Sequence, residues 1–335
     1  MAMGTVHQLI EAHGKAAALA ADLDRKEVEA AAAYLANEDG SIGFLYSGWC
    51  QAALPHKRLP DAQGWQITGE HVTLVVEPGM RPTPSGIPEP IGVPYGSRAR
   101  LIMLYMQSEA LRTRSREIEL GRSLRAWLSR MGISIGGKSM VAVREQAERI
   151  SSCRLTLRIK IGKATGLINQ NIVDTAIFLD NGEAKQPSLF NETAKLSEGF
   201  YEQLSKHSVP LEESAIKAIN NNSMALNIYA WLAYRLHSLE KPCPISWTAL
   251  KQQFGNGFVD IRNFRPKFIS NLNLSLAVYP AARVDLEERG CILYPAKPPV
   301  APSTSVAQSP RLAQSPHLIR LQQASANGQF CRQQT

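Results

Sequence analysis

An α+β fold made of two related halves is what this 335-residue sequence predicts. Three observations carry that expectation. Helical spacing and strict alternation of apolar residues occupy separate blocks, with no βαβ alternation that would build a doubly wound sheet. The order of helices followed by a β-hairpin occurs twice, over residues 97–195 and 196–295. A stretch dense in Pro and Gly, residues 81–96, sets these halves apart from an N-terminal helical and β extension.

Residues 1–40 read as a helical segment, because Ala-rich Thr5–Leu35 spaces Leu9, Ile10, Leu19, Leu23, Val28, Tyr34 and Leu35 for one or two helices. Residues 41–80 are β-rich. Phe44–Trp49 and Trp65–Val76 flank the turn Asp61-Ala62-Gln63-Gly64. Pro82, Pro84, Pro88, Pro90 and Pro94, interleaved with Gly86 and Gly92, then leave no helix or central strand and make a connector or extended arm.

The first half opens with Ser97 placed to cap a helix over Arg98–Arg112. A second helix over Ser123–Met131 puts Leu124, Trp127 and Leu128 on one side and Arg122, Arg125 and Arg130 towards solvent. Gly132–Gly137 breaks it. The third helix starts near Ser139, with Met140, Val143, Ala147 and Ile150 inward, and with Lys138, Arg144, Gln146 and Arg149 on the other side or its flanks. Leu155, Leu157, Ile159 and Ile161 alternate with Arg154, Thr156, Arg158 and Lys160, and Gly162–Gly166 turns this strand into a partner near Leu167–Leu179. Three helices and a hairpin are the outline of a winged helix.

The second half repeats the outline. Glu212–Asn220 and Ser223–Leu239 read as helices, Ser246 caps a short helix Trp247–Phe254, and Gly255 closes it. Asp260–Val278 follows with Ile261, Phe264, Phe268 and Leu272 inward and Arg262, Arg265, Lys267 and Asn271 outward, Pro266 marking a first turn or kink. Ala282–Leu286 and Cys291–Tyr294 form a second hairpin around Glu287–Gly290. Residues 296–335, rich in Pro, Ser and Gln with no acids, cannot build a core and read as a disordered basic tail.

Charge is what bears on function. The formal net charge is +8, yet residues 97–163 alone hold 15 Lys and Arg against 5 Asp and Glu, twelve of the bases being Arg. So local a field draws a polyanion, and the Arg excess suits bidentate phosphate and base-edge contacts. If roughly six to eight of these bases meet phosphates, the log–log salt slope of DNA binding should be about −5 to −7. No apolar stretch reaches the length of a membrane span, and the N-terminus makes a poor signal peptide. Cys50, Cys153, Cys243, Cys291 and Cys331 are odd in number and scattered, which fits a reducing cytoplasm and excludes a Cys-spaced zinc site. His7, His13, His56, His71, His207, His237 and His317 form no H-x-H pair, so the metal site of a DNA-nicking enzyme has no support. No cofactor and no catalytic group is expected.

Gly132-Ile133-Ser134-Ile135-Gly136-Gly137-Lys138-Ser139 matches G-x-x-x-x-G-K-S letter for letter. A nucleotide loop of this kind needs a buried strand before it, whereas Leu124–Met131 has helical spacing with Arg125 and Arg130 in it. The alternative use of the same residues is a glycine turn between two helices, with Lys138 and free N–H groups meeting a DNA phosphate at a helix start. The candidate DNA-binding residues are therefore Arg122, Arg125, Lys138, Ser139, Arg144, Gln146, Arg149, Arg158, Lys160, Arg262, Arg265, Lys267 and Asn271. Trp127, Tyr229 and Trp231 lie on apolar faces and read as core.

Several blocks resemble the plasmid-encoded RepA family. These are Ile42-Gly43-Phe44 with Gly48-Trp49 and Leu54-Pro55-His56, the strand exit Val72–Gly79, and above all Gly92-Val93-Pro94-Tyr95-Gly96-Ser97-Arg98-Ala99-Arg100. Ser123–Ile133, Gly137-Lys138 and Arg144-Glu145-Gln146-Ala147 add to it, over roughly residues 42–295. The resemblance implies a theta-type replication initiator that binds repeats (iterons) at a plasmid origin, helps open the duplex and recruits a host initiator and replicative helicase. It also implies two tandem winged-helix modules, a self-dimer and repression of its own gene. A winged-helix transcriptional regulator and a P-loop ATPase are the competing readings.

Overall fold

The computed structural model describes residues 4–21, 23–37, 40–68, 72–134, 136–161, 164–177 and 192–301. Two helices open the chain, α1 (Gly4–Ala20), broken at Gly14, and α2 (Arg25–Leu35), whose Asp24 cap accepts from the Lys26 and Glu27 amides. Then come β1 (Ile42–Tyr46), α3 (Ser47–Gln51), β2 (Trp65–Thr68), β3 (Val72–Glu77), β4 (Gly79–Arg81) and β5 (Glu89–Gly92). The Pro-rich stretch thus holds a two-stranded ribbon, β4–β5, in which Pro90 sits where no inner ladder needs its N–H.

The first half consists of α4 (Gly96–Thr113), β6 (Glu117–Glu119), α5 (Arg122–Arg130), α6 (Gly137–Ser152), β7 (Arg154–Ile161), β8 (Ala164–Asn171), β9 (Val173–Ile177) and β10 (Thr193–Leu196). After α7 (Glu198–Lys206), β11 (Ser208–Glu212) and α8 (Glu213–Ala218), the second half runs through α9 (Ser223–Arg235), a 3-10 turn, β12 (Cys243–Ser246), α10 (Trp247–Phe254), α11 (Ile261–Leu276), β13 (Val284–Glu287) and β14 (Gly290–Leu293). With β7–β8 set aside as an insertion, both halves read helix, strand, helix, helix, strand, strand. Both close the strands in the same antiparallel order, β6-β10-β9 and β12-β14-β13.

Three expectations are corrected. The hairpin after α6 was to be the first half's wing, but β7–β8 joins β2–β3 in a four-stranded sheet ordered β2-β3-β7-β8. The reason is non-local: Leu155 and Leu157 face Val76 and Leu74 of β3, some eighty residues earlier, and together they bury one face. Ser97 is not a cap, because α4 starts at Gly96 with Tyr95 as its N-cap. β12 lies between the helix Ser223–Leu239 and the Ser246 cap, where no strand is expected; an edge strand tolerates Pro244, whose missing N–H is not required there. Elsewhere Ser246 caps α10 by accepting from the Ala249 amide, and Gly255 ends it as expected.

The N-terminal elements are built into the body. β1 pairs with β11, and its Phe44 and Tyr46 amides donate to Ser108 Oγ and Gln107 Oε1 of α4. Asn273 Nδ2 of α11 donates to Glu27 of α2 at 2.9 Å. Contacts therefore cross the boundaries drawn at residues 40 and 80. Trp127, Tyr229 and Trp231 are buried, α9 being surrounded on all sides. The tail from residue 302 lies outside the described residues, as does the segment 178–191 between β9 and β10.

Candidate nucleic-acid interface

α5 and α6 meet through a turn that glycine makes possible. Gly132 takes φ +77°, a left-handed conformation that costs glycine nothing, and its N–H donates to Ser129 O while Ile133 N–H donates to Leu128 O. The turn is anchored by Asn220, whose amide donates to Met131 O. Trp127 Nε1 and Arg130 donate to buried Glu213 at 2.9 and 3.2 Å, which fixes α5 on the start of α8. Residues 122–130 are therefore a helix, not the buried strand that a nucleotide loop requires.

Gly136 caps α6 with no side-chain partner for the first amides, and no acid lies in the first turn. Lys138 is exposed there. Unsatisfied N–H groups, the positive end of the helix and an ammonium group together favour an anion. Val141, 70 % exposed, stands one turn further along the same helix. It is not among the candidates that helical periodicity selects; its signal in the sequence is an apolar side chain off the Met140–Val143–Ala147–Ile150 stripe. An apolar side chain on such a front can meet a thymine methyl.

Arg122, Arg125, Arg158, Arg262 and Lys267 are exposed, and Ser139, Arg144 and Arg265 are partly so. Arg265 stacks over the Trp247 ring at 4.9 Å. Three candidates are corrected. Gln146, Arg149 and Asn271 are buried, and the first two hold the arm: the Tyr95 amide donates to Gln146 Oε1 at 2.8 Å, and Arg149 donates to Val93 O. A helix covered on two faces buries residues that flank its apolar stripe, and single-helix periodicity does not reveal the second cover. Asn271 donates back to Lys267 O within α11. Ile261, expected inward, is 38 % exposed at the start of α11. The Lys160 backbone lies in β7, and its side chain is outside the described part.

Acids from other segments reduce the basic field. Arg116 meets Asp174 and Glu198, Arg125 meets Glu192, Arg130 meets Glu213 and Arg149 meets Asp61. About five exposed candidates remain for phosphates, namely Arg122, Lys138, Arg158, Arg262 and Lys267. Titration of DNA binding against salt should then give a log–log slope of about −4 to −5, shallower than composition suggests. A slope steeper than about −7 would mean that the internal ion pairs open on binding.

The class that these features define is a mixed α+β protein whose two halves share one element order. A crystal structure of domains 2 and 3 of RctB has that fold. It aligns at a TM-score of 0.50 with 12% identity, covering 76% of this chain and 99% of that one. A second RctB domain 2–3 structure aligns at a TM-score of 0.40 with 13% identity, covering 72% and 92%. Residues 93–248 match the family model described as plasmid encoded RepA protein, and this stretch contains the resembling blocks from Val93 to Arg100 and from Ser123 to Ala147. No curated protein sequence matches the chain significantly. Among the described residues no helix is long and apolar enough to cross a membrane.

Proposed function

We propose that this protein initiates plasmid replication by binding repeated sequences at the origin with two winged-helix modules. α6 and α11 are then the third helices, each entering a major groove of one duplex. The observation that carries this reading is the shared order of α4–β6–α5–α6–β9–β10 and α9–β12–α10–α11–β13–β14, together with identical strand order in the two small sheets. The RepA match, which spans the first module and runs into the second as far as residue 248, supports the plasmid context. Opening of the adjacent duplex, recruitment of a host initiator and helicase, dimer formation and self-repression belong to the same proposal, as does a cytoplasmic location.

In this reading Lys138 serves DNA rather than ATP, because the segment before it is helical. Lys138→Ala should weaken specific and non-specific DNA alike and reduce the salt slope by about one, with no nucleotide binding by either protein. Micromolar ATP binding lost in Lys138→Ala would overturn it in favour of an ATPase. Electrophoresis on a fragment flanking its own gene separates the remaining classes: an initiator gives a ladder of complexes, and a simple repressor one or two.

A further inference from the structure

The four-stranded sheet was not anticipated, and its outer face is not accounted for by either module. Its inner side chains, Ile67, Leu74, Val76, Leu155 and Leu157, are buried. The outer row places Thr68, Thr73 and Arg158 side by side across β2, β3 and β7, and the next row places Gln66, Val75 and Thr156. Glu77, opposite Arg154, is the acid on this face among the described residues. Thr156 Oγ1 donates to Asn169 Oδ1 of β8 at 2.8 Å.

This face adjoins the second half. Asn256 Nδ2, just after α10, donates to Gln66 O at 2.6 Å. Gln66 and Thr68 line a cleft of about 570 Å³ with Lys251 of α10 and Ile261 at the start of α11. The same two residues line a second cleft of about 660 Å³ that runs on to Thr73, Thr156 and Arg158. The two clefts thus make one trough from the α10–α11 turn across the sheet. It offers hydroxyl, amide and cationic groups together with two carboxylates, Glu77 and Asp260, the latter engaged in capping α11, and no aromatic ring lines either cleft. Single-stranded nucleic acid is held chiefly by stacking bases on aromatic rings, whereas duplex backbone is held by Arg, Lys, Thr, Asn and Gln.

We propose that this trough is a third DNA contact, gripping the sugar-phosphate backbone of the duplex between the two modules. The inference rests on the DNA-binding reading above. It accounts for Thr68, Thr73, Thr156 and Arg158 on the outer rows, beside the apolar Val75 and, opposite Arg158 on β8, the 56 % exposed Leu167. The trough adds affinity without base information and fixes the register of one module relative to the other.

The test is interference footprinting of the full chain on a duplex repeat found by footprinting beside its gene. With the wild type, ethylating phosphates between the two protected groove tracts should block binding. Thr156→Val with Arg158→Ala, both outward-facing, should lose that block and keep guanine-methylation interference in both tracts. Affinity should drop about three- to thirtyfold, and the salt slope should fall by about one. Thr68→Glu, which adds a negative charge from β2, should weaken the duplex similarly and serves if the double variant fails to fold. Groove interference with an unchanged ethylation pattern in the variants would overturn this inference alone. Absence of specific binding by the wild type would overturn the functional reading with it. Tighter binding of one strand than of the duplex, lost in the variants, would overturn the duplex assignment.

Discussion

Arg149→Ala should unfold the protein at markedly lower urea concentration, with a loss of about 2–4 kcal/mol, and leave sequence preference intact wherever the variant is folded. Arg149 is 3 % exposed. Its Nη2 lies 2.9 Å from both Asp61 Oδ1 and Glu145 Oε1, its Nη1 donates to Val93 O at 3.3 Å, and its guanidinium stacks on Tyr95. One fork therefore ties the loop at Asp61, the arm at Val93–Tyr95 and helix α6. Removing it leaves two carboxylates facing each other with only Arg58, 2.9 Å from Asp61, to compensate. Lysine lacks the fork and should rescue little. The same crowding explains Gly92, which has φ +79° and where a Cβ would fall 1.9 Å from Arg149 Nη1. A stable Arg149→Ala protein with altered base preference would instead put this residue in the groove.

Acid should destabilise the fold through His56 before carboxylates dominate. Its ring lies against Ser223 Oγ at 3.0 Å and near the Arg100 guanidinium. Arg100 only donates, so Nδ1 accepts and the neutral ring suits the site. Burial, and then the Arg100 charge, push the His56 pKa down to about 3. Arg100 itself donates to Gly96 O, Pro55 O and Asn227 Oδ1, and burial lowers its pKa to about 9. The folded pKa lies below the unfolded value near 6.5, so below that pH the unfolded chain binds the extra proton. Stability from this group is complete above about pH 6.5 and falls towards pH 3, by about 2 kcal/mol at pH 5. His56→Asn, which keeps an acceptor for Ser223, should flatten this part of the profile. Urea unfolding of both proteins between pH 7 and 5 measures the difference, and parallel profiles would refute the assignment.

Helix α6 shows how far local pattern reaches. Met140, Val143, Ala147 and Ile150 announced its core side, and Gly132 with Gly136-Gly137 announced the turn before it. Gln146 and Arg149 looked free because the arm that covers them comes from residues 93–95, a segment that local periodicity reads only as broken by prolines. Val141 was legible as an apolar residue off the stripe, but its exposure depended on nothing packing there.

Composition and spacing by themselves determined the succession of helices, the cap at Ser246, the alternating faces of β7, and the family likeness around Gly92–Arg100. Each is set by short-range physics: a side chain reaching an amide three residues on, a period of 3.6 or 2, a glycine at positive φ. Only the tertiary structure decided that β7–β8 leaves the first module for β3, that Glu213 and Asp61 neutralise part of the basic segment, and which bases stay at the surface. Strand partners and ion pairs are chosen by whichever apolar faces and charges the whole chain brings together, and a strand's own alternation is the same whoever its partner is.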